Sequence, residues 1–135
     1  MALDKAFVMV MALAFLLFAV AFILAPEYAL TLTTGQTLTS ATAIVDLRAT
    51  YGGLSLAIAI LLFWLLAKQQ LLPIALIAVL TLMLAMAATR LIGLLLMPDA
   101  AIIMYVYFIL EVAAVLTASW LLRRNKARAL GADKQ

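Results

Sequence analysis

The chain has 135 residues, of which 70% are hydrophobic and 11% are charged, and its formal net charge is +3. An ordinary soluble domain has roughly 45 to 50% hydrophobic and about 25% charged residues, and at this length it buries only about two-thirds of its surface, so the composition excludes a soluble fold. Cysteine and histidine are both absent, which excludes disulfides, thiolate metal sites and imidazole chemistry.

The hydrophobic residues form four blocks, each close to the roughly 20 residues that a helix needs to cross the hydrocarbon core of a bilayer. The sequence therefore predicts an all-α integral membrane four-helix bundle with up-down-up-down topology. The helices are predicted at about 6–25, 46–67, 71–97 and 100–122, and a basic tail follows at 123–135. Because the spans use almost the entire chain, we expect a single membrane domain.

The first span is apolar on every face and ends at Pro26 and Glu27. Ala19-Val20-Ala21 has the spacing of a signal-peptide cleavage site, but the apolar run is too long and the preceding basic region too weak, so we expect the span to be retained. Residues 26–45 are rich in threonine and are predicted to form an outer loop. Tyr28 and scattered leucines leave open a short interfacial helix within it, and the choice between a lid and a simple connector also stays open.

The remaining spans are separated by two short turns. The second span begins near Asp46, has polar opening turns and ends beyond Trp64. Residues 68–70 are predicted to form an inner turn, and Pro73 lies in the first turn of the third span, where proline is tolerated. Residues 97–99, Met-Pro-Asp, are predicted to turn the chain at the outer surface before the fourth span.

The orientation follows from the distribution of positive charge. The basic residues outside the spans all fall on one side of the predicted membrane: Lys5, Lys68, Arg123, Arg124, Lys126, Arg128 and Lys134. The two opposite loops carry Glu27 and Asp99 and no basic residue. Basic residues near helix ends are retained in the cytoplasm, so both termini are predicted to be cytoplasmic in a cell inner membrane. Trp64 and Trp120 lie at the same ends, as interfacial aromatic residues do.

Three ionisable residues lie within the predicted spans: Arg48, Arg90 and Glu111. Each costs roughly 2.5 to 3.5 kcal/mol on insertion scales, so such residues usually find partners. Arg90 lies about 10 Å and Glu111 about 16 Å below the outer ends of their helices, a difference that an arginine side chain can span. An ion pair between Arg90 and Glu111 is therefore predicted, which leaves Arg48 as the unneutralised charge.

Helical spacing adds further residues to these three. It predicts a polar pocket in the outer half of the bundle that binds an anionic small molecule or lipid headgroup. The predicted lining is Arg48, Tyr51, Ser55, Arg90, Tyr107 and Glu111. The predicted helix-packing glycines are Gly52, Gly53 and Gly93. The alternative is that the charges only tie helices together, and proton relay through Glu111 is a third reading.

Four pieces of the sequence carry a resemblance to a known family. They are Ala25-Pro26-Glu27, the string from Arg48 to Leu54 (Arg-Ala-Thr-Tyr-Gly-Gly-Leu), Arg90-Leu91-Ile92-Gly93, and Glu111 in the last span. With these, nearly the whole chain resembles a bacterial domain-of-unknown-function family of small four-helix membrane proteins. The resemblance implies the four-helix architecture and singles out the charged, tyrosine and glycine positions. It implies no activity and no substrate.

Three classes of function compete. In the first, the chain is a binding or transport module for an anionic or lipid-like ligand. In the second, it is a non-catalytic accessory subunit or homo-oligomer whose apolar first helix packs against a partner. An enzyme that uses Glu111 as acid or base, supported by Tyr107 and Arg90, ranks third because the sequence supplies no nucleophile pair and no cofactor or metal site. Membrane lipids are expected partners in each case and nucleic acid is not, since the basic tail suits a membrane surface.

Overall fold

The computed structural model describes the backbone of residues 2–132 and the side chains of residues 2–127, and every regular element in this range is a helix. The elements in chain order are α1 (Ala2–Leu24), α2 (Pro26–Thr34), α3 (Ala41–Leu47), a π-helical turn (Arg48–Gly53), α4 (Leu54–Ala67), a 3₁₀ turn (Gln69–Leu71), α5 (Leu72–Leu96) and α6 (Ile102–Ala132). Within this range, four segments are long and apolar enough to cross a membrane: Ala2–Leu24, Ala41–Ala67, Gln69–Leu96 and Ile102–Ala127.

Several helix ends differ from the predicted ones. α1 begins at Ala2 rather than near residue 6, and the second long segment begins at Ala41 rather than near residue 46. α6 continues through most of the predicted tail to Ala132, because Arg, Lys, Ala and Leu are strong helix formers and no proline interrupts them. Lys134, which counted toward the predicted orientation, lies outside the described residues, and so does the side chain of Arg128.

The chain forms two compact units, Met1–Gln69 and Gln70–Gln135. In the first unit, α1 packs along α4 and along the π-helical turn, and α2 packs against α1 and α3. In the second unit, α5 packs against α6. The turn that precedes α6 is held by the Tyr105 hydroxyl, which donates a hydrogen bond to the Pro98 carbonyl at 2.9 Å.

The π-helical turn keeps one face of the second long segment buried. The buried residues of this segment are Leu47, Gly52, Ser55, Ala59, Leu62 and Leu65. They recur at intervals of three or four, as on one face of an α-helix, except that five positions separate Leu47 from Gly52. A π-helical turn accommodates one extra residue. On a regular α-helix, Tyr51 would follow Leu47 on the buried face, because it lies four residues later. The π-turn instead places Gly52 on that face.

Gly52 makes a close approach to α1. A Cβ atom at this position would lie 2.7 Å from Ile23 Cγ1, 3.2 Å from the Ile23 backbone nitrogen and 3.3 Å from the Phe22 carbonyl carbon. Two of these three atoms belong to the backbone of α1, which cannot move aside as a side-chain tip can. This close approach supports the predicted packing role of Gly52.

The two other glycines predicted to pack do not make such contacts. A Cβ atom on Gly53 would approach only the Arg48 carbonyl oxygen of its own segment, at 3.9 Å, and a Cβ atom on Gly93 would meet no atom within 4 Å. Within the described residues no helix packs closely on Gly53 or Gly93, and their packing role stays a prediction. Glycine removes a steric barrier, and whether a second helix uses that space depends on residues elsewhere in the chain.

The predicted outer loop contains the short helix α2. Proline opens α2, and Gly35 ends it with the positive φ of 73° that glycine adopts readily. The hydroxyls of Thr31, Thr33 and Thr34 donate hydrogen bonds to backbone carbonyls one turn earlier, at 2.8 to 2.9 Å. These internal hydrogen bonds leave α2 less polar than its sequence indicates.

A small core connects α2 to the long helices of the first unit. Phe22 of α1, Ala29 of α2 and Leu47 of α3 are buried together, and Leu30 and Leu38 pack against them. The apolar residues of the threonine-rich stretch therefore pack this stretch against the end of α1 and the end of α3. The opposite side of α2 exposes Tyr28 and Leu32.

We predict that replacing Gly52 destabilises the first unit. The Gly52→Ala substitution forces α1 away from the π-turn and lowers the free energy of unfolding by about 1 to 3 kcal/mol, as overpacking typically does. Denaturation of the purified protein in detergent, followed by circular dichroism, measures this change.

Gly53→Ala is the matched control. It adds the same methyl group one residue away, where only the segment's own backbone is near, and alanine has the higher helix propensity by about 1 kcal/mol. Equal destabilisation by both substitutions would contradict the close approach of Gly52 to α1.

Candidate functional site

The ion pair between Arg90 of α5 and Glu111 of α6 is the main polar interaction of the second unit. Arg90 Nη2 donates to Glu111 Oε1 at 2.7 Å, and Arg90 Nε lies 3.0 Å from both carboxylate oxygens. The side chains are 23% and 7% exposed, respectively. Charge-assisted contacts of this kind are the strongest hydrogen bonds that side chains make. The ion pair predicted from the sequence is confirmed.

One face of α6 supplies all the contacts to the Arg90 guanidinium. Met104 and Tyr107 lie seven and four residues before Glu111, so the three share a helix face. Arg90 Nη1 donates to Met104 Sδ at 3.4 Å, and the Arg90 Cζ atom lies 5.3 Å from the centre of the Tyr107 ring. The second contact has the distance of a cation–π interaction. Tyr107 was predicted in this place, whereas Met104 was missed although it lies one helical turn before Tyr107.

These contacts engage three of the five N–H donors of Arg90 and one face of its guanidinium. Its Nε and Nη2 atoms are engaged by the carboxylate, its Nη1 atom by a sulfur, and its flat face by an aromatic ring. The charges of Arg90 and Glu111 also cancel. Glu111 correspondingly accepts three hydrogen bonds from one cation, which holds its carboxylate in place.

Arg48, at the start of the π-helical turn, is in a different situation. Its side chain is exposed, and within residues 2–127 it forms no hydrogen bond or ion pair. The nearest acidic residue in the sequence, Asp46, accepts a long hydrogen bond of 3.4 Å from the Thr50 hydroxyl. Residues two positions apart on a helix point in different directions. Arg48 therefore keeps its full positive charge.

Tyr51 and Ser55 belong to the same segment as Arg48. The half-exposed ring of Tyr51 stacks on Phe22 of α1, with ring centres 5.2 Å apart and planes at 24°, and Phe18 lies beside Phe22 at 4.6 Å. Ser55 is buried. Phe22 was not predicted as a neighbour of Tyr51. Its signal in the sequence was weak, because the first span contains phenylalanines on several faces.

The six predicted lining residues are divided between the two units. Arg90, Tyr107 and Glu111 come together in the second unit, whereas Arg48, Tyr51 and Ser55 belong to the first. That all six line one pocket stays a prediction. Within residues 2–127, Arg90 has an acidic partner and Arg48 has none.

Sequence reasoning also missed Asp4, which is completely buried in the first turn of α1. It lies before the predicted start of the first span at about residue 6. The signal was present in the helical spacing, since Asp4, Val8 and Ala12 follow one another at intervals of four and are all fully buried. A carboxylate in a first helical turn also has favourable electrostatics.

A tryptophan and a cation lie four residues apart near the ends of α4 and α6. Lys68 Nζ lies 4.5 Å from the centre of the Trp64 ring, and Arg124 Cζ lies 5.0 Å from that of Trp120. Both tryptophans are exposed. An exposed ring beside a cation suits the boundary between acyl chains and headgroups.

We predict that breaking the Arg90–Glu111 pair destabilises the protein. Glu111→Gln leaves the arginine charge without its carboxylate inside an apolar segment, so the free energy of unfolding falls by about 2 to 3 kcal/mol. The measurement is detergent denaturation followed by circular dichroism.

The control is the double variant Arg90→Met/Glu111→Met, which removes both charges and keeps side chains of similar length. It should recover most of the lost stability, because two apolar residues often replace a buried pair without loss. A double variant less stable than Glu111→Gln alone would contradict this account of the pair.

Comparison with known proteins adds one finding. The model of the family described as Domain of unknown function (DUF4345) matches residues 3–122, which is nearly the whole chain and includes Arg48, Arg90 and Glu111. No curated protein and no solved structure matches the sequence. The match names no activity. Because it extends over far more than half of the sequence, the chain belongs to this family of unknown function.

Proposed function

We propose that the chain is a four-span protein of the bacterial inner membrane that binds an anionic small molecule or lipid headgroup in the outer half of the membrane. Arg48 is the primary contact in this proposal. The observation that carries it is an exposed guanidinium with no partner within residues 2–127, located in a segment apolar enough to cross a membrane. A cation in such a place is unfavourable unless an anion accompanies it.

The orientation in this proposal has both termini in the cytoplasm and the helices running alternately outward and inward. The Trp64–Lys68 and Trp120–Arg124 contacts support it, because they bring cations and interfacial rings to the end of α4 and to the end of the apolar part of α6. The segment from Pro26 to Ser40 then lies outside, where it carries Glu27 and no basic residue.

The depth of Arg48 in the membrane follows from its distance to Trp64. Sixteen residues separate Arg48 from Trp64, which corresponds to about 24 Å of helix. With Trp64 at the inner boundary of a hydrocarbon core roughly 30 Å thick, Arg48 lies within about 6 Å of the outer boundary. A long basic side chain at that depth reaches the headgroup layer by extending toward it.

The chemistry of Arg48 favours carboxylate and phosphate. A guanidinium is always charged and presents paired N–H donors that match two oxygens of either group. Tyr51, three residues further, offers a hydroxyl on a ring fixed by its stacking on Phe22. The Arg90–Glu111 pair serves in this proposal to hold α5 against α6, with Tyr107 covering the guanidinium.

A second candidate is a non-catalytic accessory subunit or homo-oligomer in which the charges are structural. The observation in its favour is an exposed apolar stripe on α1, formed by Leu3, Val10, Leu17 and Leu24 at intervals of seven. A partner helix packs well on such a stripe, and so do lipid tails. The stripe therefore supports this candidate less specifically than the unpaired Arg48 supports anion binding.

We predict the following labelling pattern for the proposed orientation. The sequence has no cysteine, so a single introduced cysteine is the only thiol. In intact cells, Gln36→Cys in the outer segment reacts with a membrane-impermeant maleimide, whereas Gln70→Cys in the turn before α5 reacts only after the cells are permeabilised. Both positions are exposed. The reverse pattern would contradict the orientation.

We predict that Arg48 determines ligand retention. Native mass spectrometry of protein released from nanodiscs of dioleoylphosphatidylglycerol should show a bound phosphate-containing species in the wild type. Arg48→Ala should lower its occupancy about tenfold, since a charge-assisted hydrogen bond contributes about 1.5 to 3 kcal/mol, and Arg48→Lys should keep part of it.

Lys126→Ala is the matched control, because it removes the same charge from a residue on the cytoplasmic side in the proposed orientation. Equal retention by Arg48→Ala and Lys126→Ala would contradict the proposal. A second copy of the chain or another protein bound in every variant would support the accessory-subunit candidate instead.

A further inference from the structure

The surroundings of Arg48 indicate which kind of anion it binds. Val45, one turn earlier on the segment, and Leu54, shortly after the π-turn, are both more than half exposed. In a chain that crosses a membrane, exposed apolar side chains of this kind contact lipid. The unpartnered guanidinium is therefore bordered by apolar surface that faces acyl chains, with the exposed Thr50 and Tyr51 beside it.

Gly53, the last residue of the π-turn, has no side chain. We call the gap that this leaves on the surface of the segment the notch. A π-helix has more than four residues per turn, so the residue on the same flank as Arg48 and one turn deeper is Gly53. A Cβ atom there would meet only the Arg48 carbonyl oxygen, at 3.9 Å. Among the described residues no atom of another helix comes within 4 Å of that position, so the space beside Gly53 is open.

Beyond Gly53, apolar side chains of α4 lie along the same flank of the segment toward the middle of the membrane. On α4, Leu56 and Ile60 follow Gly53 at intervals of three and four, so they lie on the same flank. Leu56 is partly exposed and Ile60 is 60% exposed. One flank of the segment therefore presents a cation, then a notch, then an apolar strip, in order of increasing depth.

This order is that of a phospholipid, whose phosphate lies at the membrane surface and whose acyl chains run inward. We infer that the anion bound by Arg48 is the phosphate of an outer-leaflet phospholipid, with one acyl chain lying over Gly53 and along Leu56 and Ile60. The inference rests on the proposed function and narrows its ligand class. A soluble phosphate ester uses Arg48 alone, whereas a phospholipid uses Arg48 and the strip below it.

The test compares two probes that share their phosphate chemistry. Native mass spectrometry measures retention of dioleoylphosphatidylglycerol, and isothermal titration measures binding of glycerol 3-phosphate to the detergent-solubilised full chain. Gly53→Leu fills the notch and should lower lipid retention five- to tenfold. We expect the wild type to retain the lipid and to bind glycerol 3-phosphate at least tenfold more weakly.

A second pair of variants leaves the π-turn unchanged. Ile60→Gln should lower lipid retention at least threefold. Leu61→Gln, which makes the same chemical change at an exposed position about 100° around the helix, should leave retention within twofold of the wild type. This pair keeps the test valid if Gly53→Leu fails to fold, as judged by circular dichroism.

The outcomes separate the inference from the proposed function. If Arg48→Ala abolishes binding of both probes, but Ile60→Gln and Leu61→Gln retain lipid equally, the anion site stands and the acyl-chain track is wrong. Glycerol 3-phosphate binding as tight as lipid binding would also overturn the phospholipid assignment. If Arg48→Ala changes neither probe, the proposed function itself fails.

Discussion

A charge inside an apolar environment is unfavourable unless an opposite charge accompanies it. This constraint distinguishes Arg48 from Arg90, the two arginines within the predicted spans. Arg90 meets the constraint within its own unit through Glu111, at 2.7 Å, with Met104 and Tyr107 completing the shell around the guanidinium. Removing one partner of such a pair typically destabilises a protein far more than removing both. Arg48 does not meet the constraint within the described side chains. The Arg90–Glu111 pair explains how α5 and α6 hold together, and in the proposed function Arg48 takes its anion from outside the chain.

The π-helical turn connects packing to the site in the first unit. Its extra residue lets Gly52 approach the backbone of α1 while Tyr51 rotates to the side and stacks on Phe22. The same turn begins with Arg48 and ends with Gly53. π-helical turns inside α-helices are frequent at functional sites, and here there is a local reason. An α-helical register would direct Tyr51 toward α1 and close the approach that Gly52 permits.

Much of this structure could be predicted from the sequence because membrane helices obey simple rules. Length and hydropathy were sufficient to predict the four long segments. The free-energy cost of a charge inside a membrane was sufficient to predict the Arg90–Glu111 pair. The π-turn could not be predicted, because its only trace is the five-residue interval from Leu47 to Gly52, which is recognised once burial is known. The packing roles of Gly53 and Gly93 stay predictions for a related reason. A glycine permits close packing, but its position in the sequence does not indicate which helix packs against it.

The remaining choice is between a phospholipid and a protein partner as the group that covers the exposed surface. Apolar stripes such as Leu3–Leu24 on α1 fit either one, since lipid tails and a helix surface are about equally apolar. Arg48 does not fit both equally. A protein partner must bring a carboxylate to this depth and desolvate it, whereas a bilayer already supplies phosphates at the boundary within reach of the side chain. Because the lipid alternative requires no second buried charge, the unpaired arginine favours a lipid contact at this flank even if α1 also binds a protein.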